Sequence, residues 1–235
     1  MDEKIIYLTK EELDKCREFS ARSALQQQEI EYGEHTTNPR STEEISQDNL
    51  IGKIAEVAFG KMLQTNCNID IDLDFEYYPR GEWDSHDSEY NGWKIDVKGT
   101  RLGHWMLIEW NKLEFRQKDD ELSHLYVMFS VEWKDNEPTG KAVYQGFATL
   151  ARLSSEFPKT EVLLRGSALP ETKLESLQTD NYGIRFEDLY SYPPDLYDLL
   201  TTKRPIRQIT DNYKNPRTGQ TTLEIQKNKT KQRHT

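Results

Sequence analysis

Residues 87–98 read DSEYNGWKIDVK, with Asn91-Gly92 at the centre. A two-residue type I′ turn needs positive φ at both central positions, and Asn-Gly adopts it readily, so this stretch predicts a β-hairpin. Pairing Tyr90 with Trp93 sets a register that places Asp87 across from Asp96 and Ser85 across from Lys98. Side chains on one face of a strand repeat every two residues, so Asp87, Asp96 and Lys98 are expected on one side of the hairpin. Like charges directly opposed on a sheet are unfavourable. Such a pair either stands in water or grips a cation, and two carboxylates suit a hard ion such as Mg²⁺, which takes oxygen ligands and keeps several waters.

The flanking sequence supplies the rest of a sheet and its helices. Upstream, Ile69, Ile71, Leu73 and Phe75 alternate with Asp70, Asp72, Asp74 and Glu76, the period of a half-buried strand. Downstream, residues 104–110 and 124–133 read as strands, with weaker candidates at 143–151 and 161–165. Residues 5–8 open the chain as a short strand. Thr9 and Glu12 then have capping-box spacing ahead of a helix whose stop is placed at Gly33. A second helix begins near Ser41 or Asp48 and runs to about Gln64, with Ile51, Ile54, Ala55, Ala58 and Met62 at helical spacing. Turns are expected at Pro79-Arg80-Gly81, and residues 166–202 read as Pro-, Tyr- and Asp-rich connections. Helices followed by clustered strands predict an α/β or α+β fold around one central sheet.

Composition narrows the class. The chain has 235 residues, of which 35% are apolar and 31% charged, against a usual charged share of ~25%. No run approaches the ~18 apolar residues of a membrane span, and no basic-then-apolar leader opens the sequence. Cys16 and Cys67 have no partner at metal-binding or disulfide-framework spacing, which fits a reduced, cytoplasmic compartment. The net charge of −10 is uneven. Residues 203–235 hold nine cations against Asp211 and Glu224, a balance of +7, so residues 1–202 carry −17. The expected organisation is one domain over 1–202 and a basic tail over 203–235, suited to a phosphate backbone or to plain solubility.

The pattern Asp87-(x8)-Asp96-Val97-Lys98 resembles the PD-(D/E)XK nuclease superfamily. The resemblance covers about residues 43–134 and implies a restriction-endonuclease-like core, a central mixed sheet flanked by helices. It implies a metal-dependent nuclease that hydrolyses phosphodiester bonds in DNA, double-stranded by default, and acts as an endonuclease, with room for a homodimer. One or two Mg²⁺ are the implied cofactor, with Mn²⁺ as a substitute, held by Glu56, Asp87, Asp96 and the Val97 carbonyl. Lys98 assists the attacking water. The family's helix glutamate falls on Glu56, at the border of an apolar helix face between Gly52 and Gly60, which would leave room for a close approach. The plain alternative for Glu56 is a helix-surface pair with Lys53. Arg101, just past the strand, is the implied phosphate contact.

Asp84 competes with Asp87 as the first acid, because a bulge near Ser85–His86 would turn it inward. No proline precedes either aspartate, a departure from the pattern that gives the family its name. Asp70, Asp72 and Asp74 imitate a calcium loop but lack its glycine and its terminal glutamate. The five histidines form no metal-ligand pair, and no nucleotide-binding glycine loop is present. The rival readings are a catalytically inactive nuclease scaffold that binds nucleic acid or protein, and an unrelated α+β interaction protein.

Overall fold

Asn91 and Gly92 take φ of 49° and 80°, the left-handed pair that a type I′ reversal requires. They join β2 (Ser88–Tyr90) to β3 (Trp93–Thr100), with Tyr90 opposite Trp93 and Ser88 opposite Ile95. From Tyr90–Trp93 to Ser88–Ile95 the register read from the sequence is the register of the protein. The computed structural model describes residues 4–28, 41–76, 86–101, 103–109, 123–150, 153, 160–172 and 176–202. Gly33, the turn at 79–81, Asp84 and the basic tail at 203–235 lie outside these residues.

Five strands form the central sheet in the order β1-β6-β5-β3-β2. Here β1 is Ile5–Tyr7, β5 is Leu125–Lys134 and β6 is Glu137–Thr149. Among the described residues only the β3–β5 pair is parallel, so the sheet is mixed. The β5–β6 reversal uses Asp135 and Asn136, both at positive φ. Asp and Asn tolerate that region because their short polar side chains bond locally.

Two long helices cover one face. Thr9 and Glu12 cap each other at the start of α1 (Lys10–Gln28). Ser41 and Glu44 do the same for α2 (Thr42–Cys67). The apolar stripe of α2 packs on Ile95, Val97, Leu125, Val127 and Phe129 of the sheet, joined by Leu196 and Leu200 of α3 (Pro193–Thr201). Each fully buried side chain of Leu, Ile, Phe or Met size contributes roughly 1.5–3 kcal/mol. None of the described helices is long and apolar enough to cross a membrane.

The opposite face is covered by a second sheet, which corrects the expectation of a single one. It is antiparallel, in the order β4-β8-β7, from β4 (Trp105–Glu109), β7 (Thr160–Leu163) and β8 (Asn181–Arg185). Met106, Ile108, Tyr182 and Ile184 from it pack on Tyr126, Met128 and Ala148 of the central sheet. Sequence periodicity reports that a strand is half-buried but not which ladder it joins.

The 69–75 segment is a second correction. Its alternation is real, since Ile69 is buried and Asp70 and Asp72 are exposed. It nonetheless joins no ladder among the described residues and packs on α2, with Ile71 and Leu73 against Gly60. Its apolar face found a helix instead of a neighbouring strand.

Candidate active site

Strand β3 sorts its side chains between two faces. Trp93, Ile95 and Val97 enter the core under α2, so by alternation Asp96 and Lys98 project from the other face. There they stand in register beside Tyr126 and Met128. Asp96 is only 5% exposed. The Lys98 side chain is 22% exposed, and its Nζ lies 2.5 Å from Asp96 Oδ1. The two-residue spacing of a strand thus converts Asp-x-Lys into a contact pair.

Asp87 does not sit directly opposite Asp96 as the register extrapolated. The ladder ends at Ser88–Ile95, and the Asp87 N–H donates to the carbonyl of that same Ile95 at 2.9 Å. Two consecutive residues facing one partner is the sign of a β-bulge, which re-aims the side chain at the end of a strand. The Asp87 carboxylate turns to the strand edge, where its Oδ2 accepts the Val97 N–H at 2.5 Å. A strand residue's N–H and C=O point to the same edge, so the Val97 carbonyl is directed to the side on which Asp87 stands. Asp87 therefore reaches the Asp96–Val97 peptide by bonding it rather than by cross-strand pairing. Asp84 lies outside the described residues.

Glu56 comes from α2, which approaches β3 closely because residue 99 is glycine. A Cβ there would stand 2.6 Å from the Ile51 carbonyl oxygen and 3.1 Å from Ala55 Cβ. The Glu56 side chain is 13% exposed. Burial first, and then the charge of Asp87, push its carboxyl up to about 8; Lys53 pulls the other way and Asp96 adds a smaller push. The three acids therefore share one electrostatic neighbourhood, approached from the helix face, the strand edge and the far face. Of the two glycines read as clearance for a ligand, Gly60 meets Leu73 and Ile71, whereas Gly52 faces open space.

Two positively charged groups are set among these acids. One is Lys98. The other is Lys53, which the sequence reading treated only as a surface partner, whereas its ammonium is buried and lies 2.5 Å from Glu56 Oε2. The signal for it was a lysine one turn before the glutamate inside an apolar helical stripe. Arg101, exposed past the end of β3, donates to Gln47 Oε1 at 3.1 Å and lies 5.3 Å from the Trp133 ring. His86 stands 3.8 Å from Glu89, and His104 packs edge-on against Phe186.

The donor chemistry, carboxylates and a main-chain carbonyl, fits a hard divalent ion. Among the described residues, no three His, Cys, Asp or Glu side chains form a ready metal cage. Each of the three acids has one oxygen engaged by an ammonium or an N–H. No protein-family model, curated protein or solved structure matches the chain.

Proposed function

We propose that the protein is a Mg²⁺-dependent nuclease of the PD-(D/E)XK type that cuts double-stranded DNA internally. The observation that carries this reading is the convergence on one peptide: Asp96 and Lys98 pair on β3 while Asp87 is bonded to the Val97 N–H between them. Asp87, Asp96, the Val97 carbonyl and Glu56 are the oxygen donors for one or two divalent ions. An ion held there would supply polarisation of the scissile phosphate and a more acidic bound water. Asp96 holds the Lys98 ammonium where it can orient that water and offset charge developing on the phosphate. Arg101 and the cations of residues 203–235 supply phosphate contacts that the acidic remainder of the chain does not.

Cleavage of supercoiled plasmid and of a single-stranded oligonucleotide, with Mg²⁺, Mn²⁺ or EDTA, tests the proposal. Cutting is expected with either metal, lost in EDTA and lost in Asp96→Ala and Lys98→Ala with the fold intact by circular dichroism. No cutting under any metal condition rejects the enzyme. A second reading, a catalytically silent scaffold that binds nucleic acid or protein, is favoured by the closed Asp96–Lys98 pair and the lack of a ready cage among the described residues. Metal-independent DNA binding without cleavage would establish it.

A further inference from the structure

Past Lys98, the face of the central sheet that carries Asp96 continues into a row of uncharged polar groups. Thr100 shares that face by strand alternation, and Ser130 of β5 stands beside it in the parallel ladder. Tyr126 and Met128, which precede Ser130 on the same face, lie under the second sheet, whereas Thr100, Ser130 and Gln145 are half-buried. Gln145 reaches the row from β6 through a β-bulge. Met128 is opposite Gly146 and Phe129 opposite Tyr144, so Gln145 is the extra residue. Gly146 fixes the bulge: its φ is 144°, and a Cβ there would stand 2.6 Å from Leu189 Cβ. The Gln145 amide is locked in turn. Its Nε2 donates to Ser130 Oγ at 2.7 Å and to the Val143 carbonyl oxygen at 3.3 Å. A carbonyl only accepts, which settles which end of the amide faces it. Ser130 Oγ is thereby an acceptor with its own proton left to donate. Among the described residues nothing takes that proton and nothing donates to Gln145 Oε1. The next side chain along β5, Glu132, is engaged by Thr139 Oγ1 and Lys141 Nζ, each at 2.8 Å.

We propose that Ser130 and Gln145 form a base-reading pair, a donor beside an acceptor, that recognises adenine in the major groove of duplex DNA. Duplex DNA as the occupant of this face follows from the function proposed above, on which the role of the pair rests. Phosphate contacts position a nucleic acid, and base-edge contacts specify it. The charges suited to phosphates, Lys98 and Arg101, flank Thr100 along β3, and the neutral row lies beside them. A phosphate only accepts and would leave Gln145 Oε1 unused, whereas a base edge can fill both positions. In the major groove adenine alone sets an acceptor, N7, next to a donor, N6–H. Guanine offers two acceptors, cytosine a donor and thymine an acceptor. The Ser130 hydroxyl would donate to N7, and Gln145 Oε1 would accept from N6. Ser130 lies two residues along the sheet from Lys98 and one strand across, about 7 Å by about 5 Å. The base read would then fall within about three base pairs of a bond cut beside Lys98, at ~3.4 Å per step. Both side chains stand on paired strands, which hold a contact geometry more tightly than loops do.

Duplexes of randomised sequence test this in two readouts: those retained by the full chain in EDTA, and the sequence next to ends cut in Mg²⁺. The wild type is expected to enrich adenine at one position, about 5- to 150-fold over the other bases, the discrimination of one bidentate contact. Ser130→Ala and Gln145→Met are each expected to bring that ratio toward one. The ratio separates base reading from structural support, because a variant that only loosens the fold weakens binding to every sequence alike. No base preference in either readout, a preference for a different base, or an adenine ratio unchanged in both variants overturns the proposal and leaves the nuclease reading standing. Adenine enrichment among retained duplexes without any cutting keeps the proposal and replaces the nuclease with the silent scaffold. A chain that neither retains nor cuts duplex DNA removes both. Should one variant not fold, the wild-type preference and the other variant decide.

Discussion

The Oδ2 atom of Asp87 accepts the main-chain N–H of Val97 at 2.5 Å, tying the end of one hairpin arm to the middle of the other. The bond replaces a missing rung of the β2–β3 ladder, which stops at Ser88–Ile95. Asp87 is therefore both a structural acceptor and a candidate metal ligand, and two substitutions separate those roles. Asp87→Ala strips the Val97 N–H of this acceptor and is expected to cost about 1–3 kcal/mol. Asp87→Asn keeps an acceptor oxygen and is expected to unfold within about 1 kcal/mol of wild type, while weakening Mn²⁺ binding. Urea denaturation and Mn²⁺ titration measure the two effects; equal stability losses would show that the Val97 bond contributes nothing.

Gly99 controls how near α2 comes to the strand that carries Asp96 and Lys98. An added Cβ meets the Ile51 carbonyl oxygen at 2.6 Å, a backbone atom of a buried helix that has little freedom to move. Gly99→Ala is expected to cost roughly 1–3 kcal/mol from overpacking. It should also lower any metal-dependent cleavage, because relief comes only by shifting the helix that bears Glu56. A denaturant midpoint equal to wild type would contradict this packing.

His124 makes stability depend on pH. It is fully buried, and its Nδ1 accepts the Lys94 N–H at 3.1 Å, so Nε2 carries the proton of the neutral ring. Nε2 is buried without a hydrogen-bond partner among the described residues, and the Gly92 backbone favours the charged form by a smaller effect. Burial first, and then the charge of Lys94, lower the imidazole from 6.5 to about 4. The unfolded chain therefore takes up the proton first on acidification. This contribution is fully present above pH 6.5 and is lost as pH falls toward 4, by at most about 1.4 kcal/mol per pH unit. His124→Asn, which can keep an acceptor for Lys94, is expected to flatten the stability profile between these pH values. An unchanged slope from pH 6.5 to 5 would assign the loss to other groups.

Arg101 is held beside the site by Gln47 and the Trp133 ring. As a phosphate contact, it should weaken DNA binding similarly for all sequences when replaced by alanine, and lower the slope of log affinity against log salt by about one. Deleting residues 203–235, with their nine cations, should lower that slope by several. Fluorescence anisotropy across a salt series with labelled duplex measures both; unchanged slopes in both variants would remove these residues from the DNA interface.

Local chemistry made much of this protein legible in its sequence. The Asn91-Gly92 turn, the hairpin register from Tyr90–Trp93 to Ser88–Ile95, the Thr9–Glu12 cap and the α2 stripe follow from interactions within a few residues, and all are present. The adjacency of Asp96 and Lys98 follows equally from the two-residue repeat of a strand. Tertiary contact settled the rest. It laid the alternating 69–75 segment along a helix, gathered β4, β7 and β8 into a separate sheet, and formed β8 and α3 within the stretch read mainly as connections. It also bulged the chain at Asp87 and buried Lys53 against Glu56. These outcomes depend on which distant surface each segment meets and on where a charge can be matched once water is excluded, and neither is encoded in residue spacing.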